Sequence, residues 1–259
     1  MARRSLFGLA GIALLVAAAS TLFAQGLYYE SVMKGGPMGD KNMASKTYLM
    51  PRMFKHLSDG DNNAMIIRLD QEKLYTVEVA KKEYSEMTFA EMEQAMKAMS
   101  AKMDGAMAGM DEQMKDMPEE QRKMMEQMMG GQMSKKGASK VEMVKTGETK
   151  TLLGYSCYKC VAKEGDKELM SLWVTKGVRG FENLRKDYEA LTRRMMSMNP
   201  SFMKGLADAM IKIDGFPLEM DWGGMTTLVT KVETRSTSAS EFAVPAGFTK
   251  VDSPLMKME

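Results

Sequence analysis

Between Leu27 and Phe89 apolar and polar residues alternate with a period of two. The runs "LYYESVM", "KTYLMPRMF", "AMIIRLD" and "KLYTVEV" are short and rich in Tyr, Ile, Val, Leu and Thr, and Gly, Asp and Asn clusters separate them. Each reads as strand, since successive side chains of a strand point to opposite faces. "RLDQEKLYTV" predicts a hairpin with Asp70 to Glu72 at its turn, and "GGPMGDKN" predicts a loop.

At Met87 the period lengthens to about 3.6, that of a helix. Thr88 followed by Glu91 three residues later forms a capping box, which predicts a helix starting there and running through Met117. Pro118 with Glu119 and Glu120 suits the first turn of a second helix, ending near Gly130. "SKKGASK" reads as a solvated linker. Strand character returns at "KVEMVKTG" and continues through "KTLLGYSCYKCVAKEGDKELMSLWVTKGV", with "EGDK" at 164–167 as a hairpin turn. Residues 181–199 are amphipathic and closed by Pro200, a short helix is expected at 201–210, and two or three further strands end the chain.

The expected fold is therefore α+β: a strongly curved antiparallel sheet, a half-barrel, packed on helices, with a Met-rich helical hairpin inserted into it. The divisions are 1–24 as a signal peptide, 25–89 as the first part of the sheet domain, 90–135 as the Met-rich insertion, and 136–259 as the second part, with helices near 181–210.

The segments "YYESVMKGG", "IIRLDQEKLYTVEVAKKEYSEM", "LLGYSCYKCVAKEGDKELMSLWVTKGV" and "EFAVPAGFTKV" together resemble a family of exported bacterial proteins, domain of unknown function 4412. The resemblance covers roughly Leu27–Phe89 and Val141–Val251. The arrangement is also similar to the periplasmic lipoprotein-carrier superfamily, which implies a curved sheet wrapping helices and able to hold acyl chains. The chain departs from such a carrier in its long methionine insertion and in lacking a clear set of ligand-gating residues.

The N-terminus changes the picture of where the protein works. Arg3 and Arg4 precede an apolar run from Leu6 to Ala19, and small residues lead to Ala24, the order of a secretory signal. The run is short of the roughly 20 apolar residues a spanning helix needs. Cleavage between Ala24 and Gln25 would leave a periplasmic or secreted chain of about 235 residues with no stable transmembrane segment. Losing Arg3 and Arg4 takes the formal charge from +2 to about 0. A near-neutral chain of mixed charges carries no electrostatic footprint for nucleic acid.

Methionine dominates the candidate chemistry, with 32 in the chain. Met92, Met96, Met99, Met103, Met107, Met110, Met114 and Met117 recur at steps of three and four, which places them on one helix face. Three readings stand. The face can be an apolar seam of the protein's own core, or an adaptable contact surface for a ligand or protein partner, since Met is flexible and polarizable. It can also be a soft-ligand ladder for Cu(I) or Ag(I), because thioethers select soft ions. The absence of His and Cys from the segment, and a spacing that makes a seam rather than a cluster, weigh against the metal.

Cys157 and Cys160 form a CxxC, but "YSCYKCVA" has strand composition and lacks the helix N-terminus that activates a redox cysteine. Residues three apart on a regular strand lie about 10 Å apart on opposite faces, beyond the roughly 7 Å reach of a disulfide. Two separately placed thiols, or a disulfide rescued by a bulge, both remain open. The single histidine, His56, has no Ser or Cys elbow near it and reads as structural. "DGDNN" at 59–63 lacks the closing Glu of a calcium loop, as the twelfth position is Asp70. Trp173 and Trp222 read as core or cavity lining.

With no catalytic constellation, the expectation is a non-enzymatic binding protein without a cofactor. It would hold an apolar small molecule or lipid in a concavity lined by residues such as Leu69, Tyr75, Leu172, Trp173 and Leu228.

Overall fold

Alternation along each strand is matched across strands. In the computed structural model, which describes residues 24–36, 42–58, 60–115, 140–197 and 201–253, five side chains register beside Leu27 in one unbroken apolar row: Leu49, Phe54, Ile67, Leu74 and Met87. The strands carrying this row are β1 (Ala24–Gly35), β2 (Met43–Met50), β3 (Met53–Ser58), β4 (Asn63–Arg68), β5 (Lys73–Glu78) and β6 (Glu83–Thr88). Cross-strand pairs of this kind are the unit of sheet stabilisation. Five of the six, Phe54 excepted, are also buried.

After the first helix, α1 (Phe89–Lys115), come β7 (Val141–Leu152), β8 (Tyr155–Glu164) and β9 (Lys167–Thr175). The helices α2 (Phe181–Ser197) and α3 (Ser201–Met210) follow, then β10 (Phe216–Trp222), β11 (Met225–Thr237) and the two-residue β12 (Thr249–Lys250). Among the described residues the twelve strands form one open sheet in the order β12-β6-β5-β4-β3-β2-β1-β11-β10-β9-β8-β7. All neighbours are antiparallel except β12 on β6. This large open sheet with three helices fits a curved sheet packed on helices.

The turns follow sequence chemistry. Arg68 pairs with Lys73 around the expected Asp70–Glu72 turn, and Glu164 pairs with Lys167 around Gly165–Asp166. Gly165 takes φ +58, a left-handed conformation that costs glycine little. The expected single run "KTYLMPRMF" is instead two strands. Pro51 and Arg52 make a two-residue turn that pairs Met50 with Met53, and Arg52 adopts φ 61. At the start of α1 the capping box forms in both directions. The Thr88 N–H donates to Glu91 Oε2 at 2.7 Å, and the Glu91 N–H donates to Thr88 Oγ1 at 3.1 Å.

Both faces of β2 to β6 are covered. On one, Met87, Phe89, Met92 and Leu191 pack with Ile67 and Leu74, which joins α1 and α2 to the sheet. On the other, the segment after β11 crosses back and sets Phe242 against Met50, Ala64, Ile66 and Val77. Lys55 pairs with Glu241 at 3.5 Å, and β12 then lies along β6 through Thr249 N–H to Lys82 O and Val251 N–H to Tyr84 O, each 2.8 Å. Ile66 and Ile67 are therefore both buried although adjacent on a strand. Beyond β11 the core continues under α3, where Leu206 and Ala209 meet Leu172, Val174 and Cys160.

No helix among the described residues is long and apolar enough to cross a membrane. The segment before Ala24 expected to be a signal peptide, the second helix expected from Pro118 and most of the expected 134–140 linker lie outside the described residues.

Candidate functional site

One register step from the apolar row, the residues facing the helices change character. Tyr29 pairs with Thr47, and Thr47 with His56. A step further, Ser31 pairs with Ser45. Two residues along a strand is about 6.8 Å, so the hydroxyls and the imidazole form a polar band beside the apolar row. The band lines a cavity of about 250 Å³ whose other walls are Met33, Met43, Phe216, Leu218, Met220, Thr227 and Val229, with Tyr188 reaching in from α2.

The band is internally bonded. Ser31 Oγ and Ser45 Oγ are 2.8 Å apart, and Thr47 Oγ1 lies 3.0 Å from His56 Nδ1. Thr47 is wholly buried. His56 Nε2 has no hydrogen-bond partner among the described residues, yet it is not a sealed unsatisfied atom. Burial holds the His56 pKa below the ordinary imidazole value, so the ring is neutral at neutral pH. Burial also raises the phenols of Tyr29 and Tyr188, which stay protonated. Aromatic edges close one end: Tyr29 meets Phe216 at 5.3 Å, and Phe181 meets Phe216 at 5.2 Å and Tyr188 at 5.6 Å. Glu219 borders the cavity between Leu218 and Met220, and its carboxylate is held by Lys150 Nζ at 2.7 and 2.8 Å beside Trp173, its cross-strand partner.

These groups offer neutral hydrogen bonds against an apolar wall. The imidazole is oriented by a hydroxyl, not a carboxylate. Among the described residues no cluster of three His, Cys, Asp or Glu side chains could hold a metal.

A second depression, about 440 Å³ and broadly open, lies between the β4–β5 turn, the start of α1 and α2. Arg52, Asp187 and Arg194 on its wall are engaged with their surroundings. The Arg52 N–H donates to Asp187 at 2.9 Å, Arg52 Nη2 donates to Leu69 O at 2.9 Å, and the Arg194 guanidinium sits 5.0 Å from the Phe89 ring centre. It is a junction of elements.

The residues expected to line a concavity are dispersed. Leu69 sits in the β4–β5 turn at the edge of this junction. Tyr75 faces the opposite side of the sheet, near Phe242. Leu172 is buried under α3, whereas Trp173 turns the other way, with Lys150 Nζ 4.2 Å from its ring centre. Leu228 lies between Thr227 and Val229, which do line the cavity, and pairs with Val32. None of the five is on the wall of the His56 cavity. Trp222 ends β10 and is exposed rather than core.

Cys157 and Cys160 are free and buried, in different clusters: Cys157 with Leu27 and Phe216, Cys160 with Leu172 and Leu206. The bulge-rescued disulfide is not formed. Of the methionine face, Met92 is buried in the core, Met96 is half-buried and Met99 is 38% exposed. Met103, Met107, Met110 and Met114 continue along α1, while Met117 lies outside the described residues.

His56 and the hydroxyls of Ser31, Ser45, Thr47 and Ser58 escaped the sequence reading. Their signal was a run of Ser, Thr and His on a single phase of β2 and β3, legible only once the facing register is known.

The profile of a family described as domain of unknown function (DUF4412) matches residues 88–248, more than half the chain. The chain belongs to the DUF4412 family. The match begins at the α1 capping box and runs through the Met-rich helix, so that helix lies within the DUF4412 region. Strands β1 to β5, which the sequence reading included in the resemblance, precede it. No curated protein matches the sequence. Among solved structures the DUF4412 chain is similar to an uncharacterized conserved protein from Thermus thermophilus, with 8% identity, coverage of 87% of this chain and 90% of that one, and a TM-score of 0.43. It is also similar to PNGF-II, with 9% identity over 91% of this chain and a TM-score of 0.39, and it spans 32% of the PNGF-II chain. Neither likeness bears on function.

Proposed function

We propose that this chain is an exported, non-enzymatic binding protein that holds one small apolar molecule in the cavity between α2 and the sheet. The observation that supports this reading is the cavity itself: about 250 Å³ walled by Met33, Met43, Leu218, Met220 and Val229, with a polar band along one side. Small-molecule sites are concavities of this composition, roughly 300–1,000 Å³ and mostly apolar with a few placed polar groups. The volume suits a single short chain or ring rather than a complete lipid.

Native mass spectrometry of protein purified from its own host tests the reading. An adduct of defined mass is expected, and it should be absent after Val229→Phe, which fills the cavity. An adduct that never appears, with no small apolar compound binding when added, overturns it.

A second reading has one observation behind it: the methionine face leaves the core between Met92 and Met99. The outer part of α1 would then offer a partner-docking surface. Removing residues 97–135 should abolish capture of that partner while leaving the sheet folded. Unchanged capture would end the idea.

A further inference from the structure

The polar band selects the head group of whatever occupies the cavity; this step rests on the binding reading above. We propose that the ligand is a neutral amphiphile with a hydroxyl head, hydrogen-bonded to His56 Nε2 and the Ser31–Ser45 pair while its apolar body lies against Met33, Met43, Met220 and Val229.

The argument is one of donor and acceptor counts. A neutral imidazole has one donor and one acceptor nitrogen, and Nδ1 is committed to Thr47 Oγ1. If Thr47 donates to Nδ1, then Nε2 carries the proton and donates to the ligand. If Nδ1 donates to Thr47, then Nε2 accepts. The Ser31–Ser45 pair has the same ambivalence, because either hydroxyl can be donor and one further donor and several lone pairs remain. A hydroxyl head both donates and accepts, so it satisfies either state of both partners. A carboxylate only accepts and an ammonium only donates.

Charge points the same way. Ser31, Ser45, Thr47 and His56 supply no counter-ion for a carboxylate, and an unpaired ion in such a site is strongly disfavoured. Glu219 borders the cavity, but its carboxylate is engaged by Lys150 beside Trp173, the residue it pairs with. An alkane would leave His56 Nε2 without a partner, which costs a ligand the discrimination a hydrogen bond supplies.

The test is a heteronuclear NMR titration of the signal-free protein at pH 8 with 1-octanol, sodium octanoate and octylammonium chloride. Saturable shifts of the Ser31, Ser45, Thr47 and Val229 amides are expected with 1-octanol, at about tenfold lower concentration than with either charged analogue. His56→Phe should erase that preference while still binding the chain, and His56→Gln, which keeps a donor and an acceptor, should restore most of it. Octanoate or octylammonium binding at these amides as tightly as 1-octanol overturns the head-group inference and leaves the cavity reading standing. No saturable shift at these amides with any of the three overturns both. Unchanged dispersion of the β7–β9 amides in each variant shows that the fold is retained.

Discussion

Thr47 Oγ1 lies 3.0 Å from His56 Nδ1 across the β2–β3 register. That one bond fixes which edge of the chain's only imidazole is used internally and which is left for the cavity. It also makes His56 a residue whose protonation can be read without interference from any other histidine.

Burial lowers the His56 pKa from its unfolded value of 6.5. Below 6.5 the unfolded chain takes up a proton that the folded chain resists, so the unfolded state binds more protons and stability falls as pH falls. The loss begins near pH 6.5 and is complete once pH passes below the folded pKa. Urea midpoints between pH 8 and pH 5 should decline in the parent and stay level over that window in His56→Gln. The carboxylates Asp70 and Glu86, whose pKa values are lowered by Arg68 and by Lys73 with Lys250, act in a separate window at lower pH. An equal decline in parent and variant would refute the assignment.

Phe242 is fully buried against Ile66 and Val77 on the face away from α2. Phe242→Ala should cost about 3–5 kcal/mol, the range for a buried Phe lost from a core. Hydrogen exchange should also rise at Thr249 and Val251, whose N–H groups bond Lys82 and Tyr84. Global unfolding measured by urea, with exchange at those two amides unaffected, would show that the crossing segment is not held by Phe242.

Burial raises the pKa of both Cys157 and Cys160, and a thiol, unlike a thiolate, is a poor nucleophile. Neither should react with an aromatic disulfide reagent in the native protein at pH 8, and both should react together on unfolding in urea. Rapid modification of either in the native state contradicts the packing.

Met92 and Met99 sit on the same helix face and differ in burial, 4% against 38% exposed. Met92→Ala should cost about 2–5 kcal/mol, whereas Met99→Ala should stay within about 0.5 kcal/mol of the parent. Chemical denaturation measures both. Competition with a Cu(I) chelator completes the comparison. If α1 is a core seam at its base, changing Met92, Met96 and Met99 to Leu leaves Cu(I) affinity unaltered, and a loss of affinity would revive the soft-metal ladder.

Local chemistry was legible in the sequence wherever it was self-contained. Thr88 with Glu91, the Asp70–Glu72 turn and the Gly165–Asp166 turn each need only neighbours in the chain, and each forms where expected. The break at Pro51 was hidden inside an apolar run, although a proline within a strand pattern is itself a warning. The cavity was not legible, because period two identifies a strand without saying which phase is inside. Here the adjacent Ile66 and Ile67 are both buried, α1 and α2 covering one face and the Phe242 segment the other. Tyr75, expected in the concavity, and its neighbour Leu74 serve opposite sides of the sheet.

The middle of the sheet is where β1 meets β11, and there Thr230 donates to the Glu30 carbonyl across 200 residues of chain. The strands to one side, β2 to β6, are built from sequential hairpins, and so are β7 to β9 on the other. The seam between these halves is a long-range pairing, the kind that slows folding because loop-closure entropy must be met before the contact rewards it. The halves can assemble as the chain emerges. They cannot be joined until residues beyond 225 are present, so a chain threaded out N-terminus first would complete its sheet, and with it the cavity that β1, β2, β3, β10 and β11 share, only at the end of its passage.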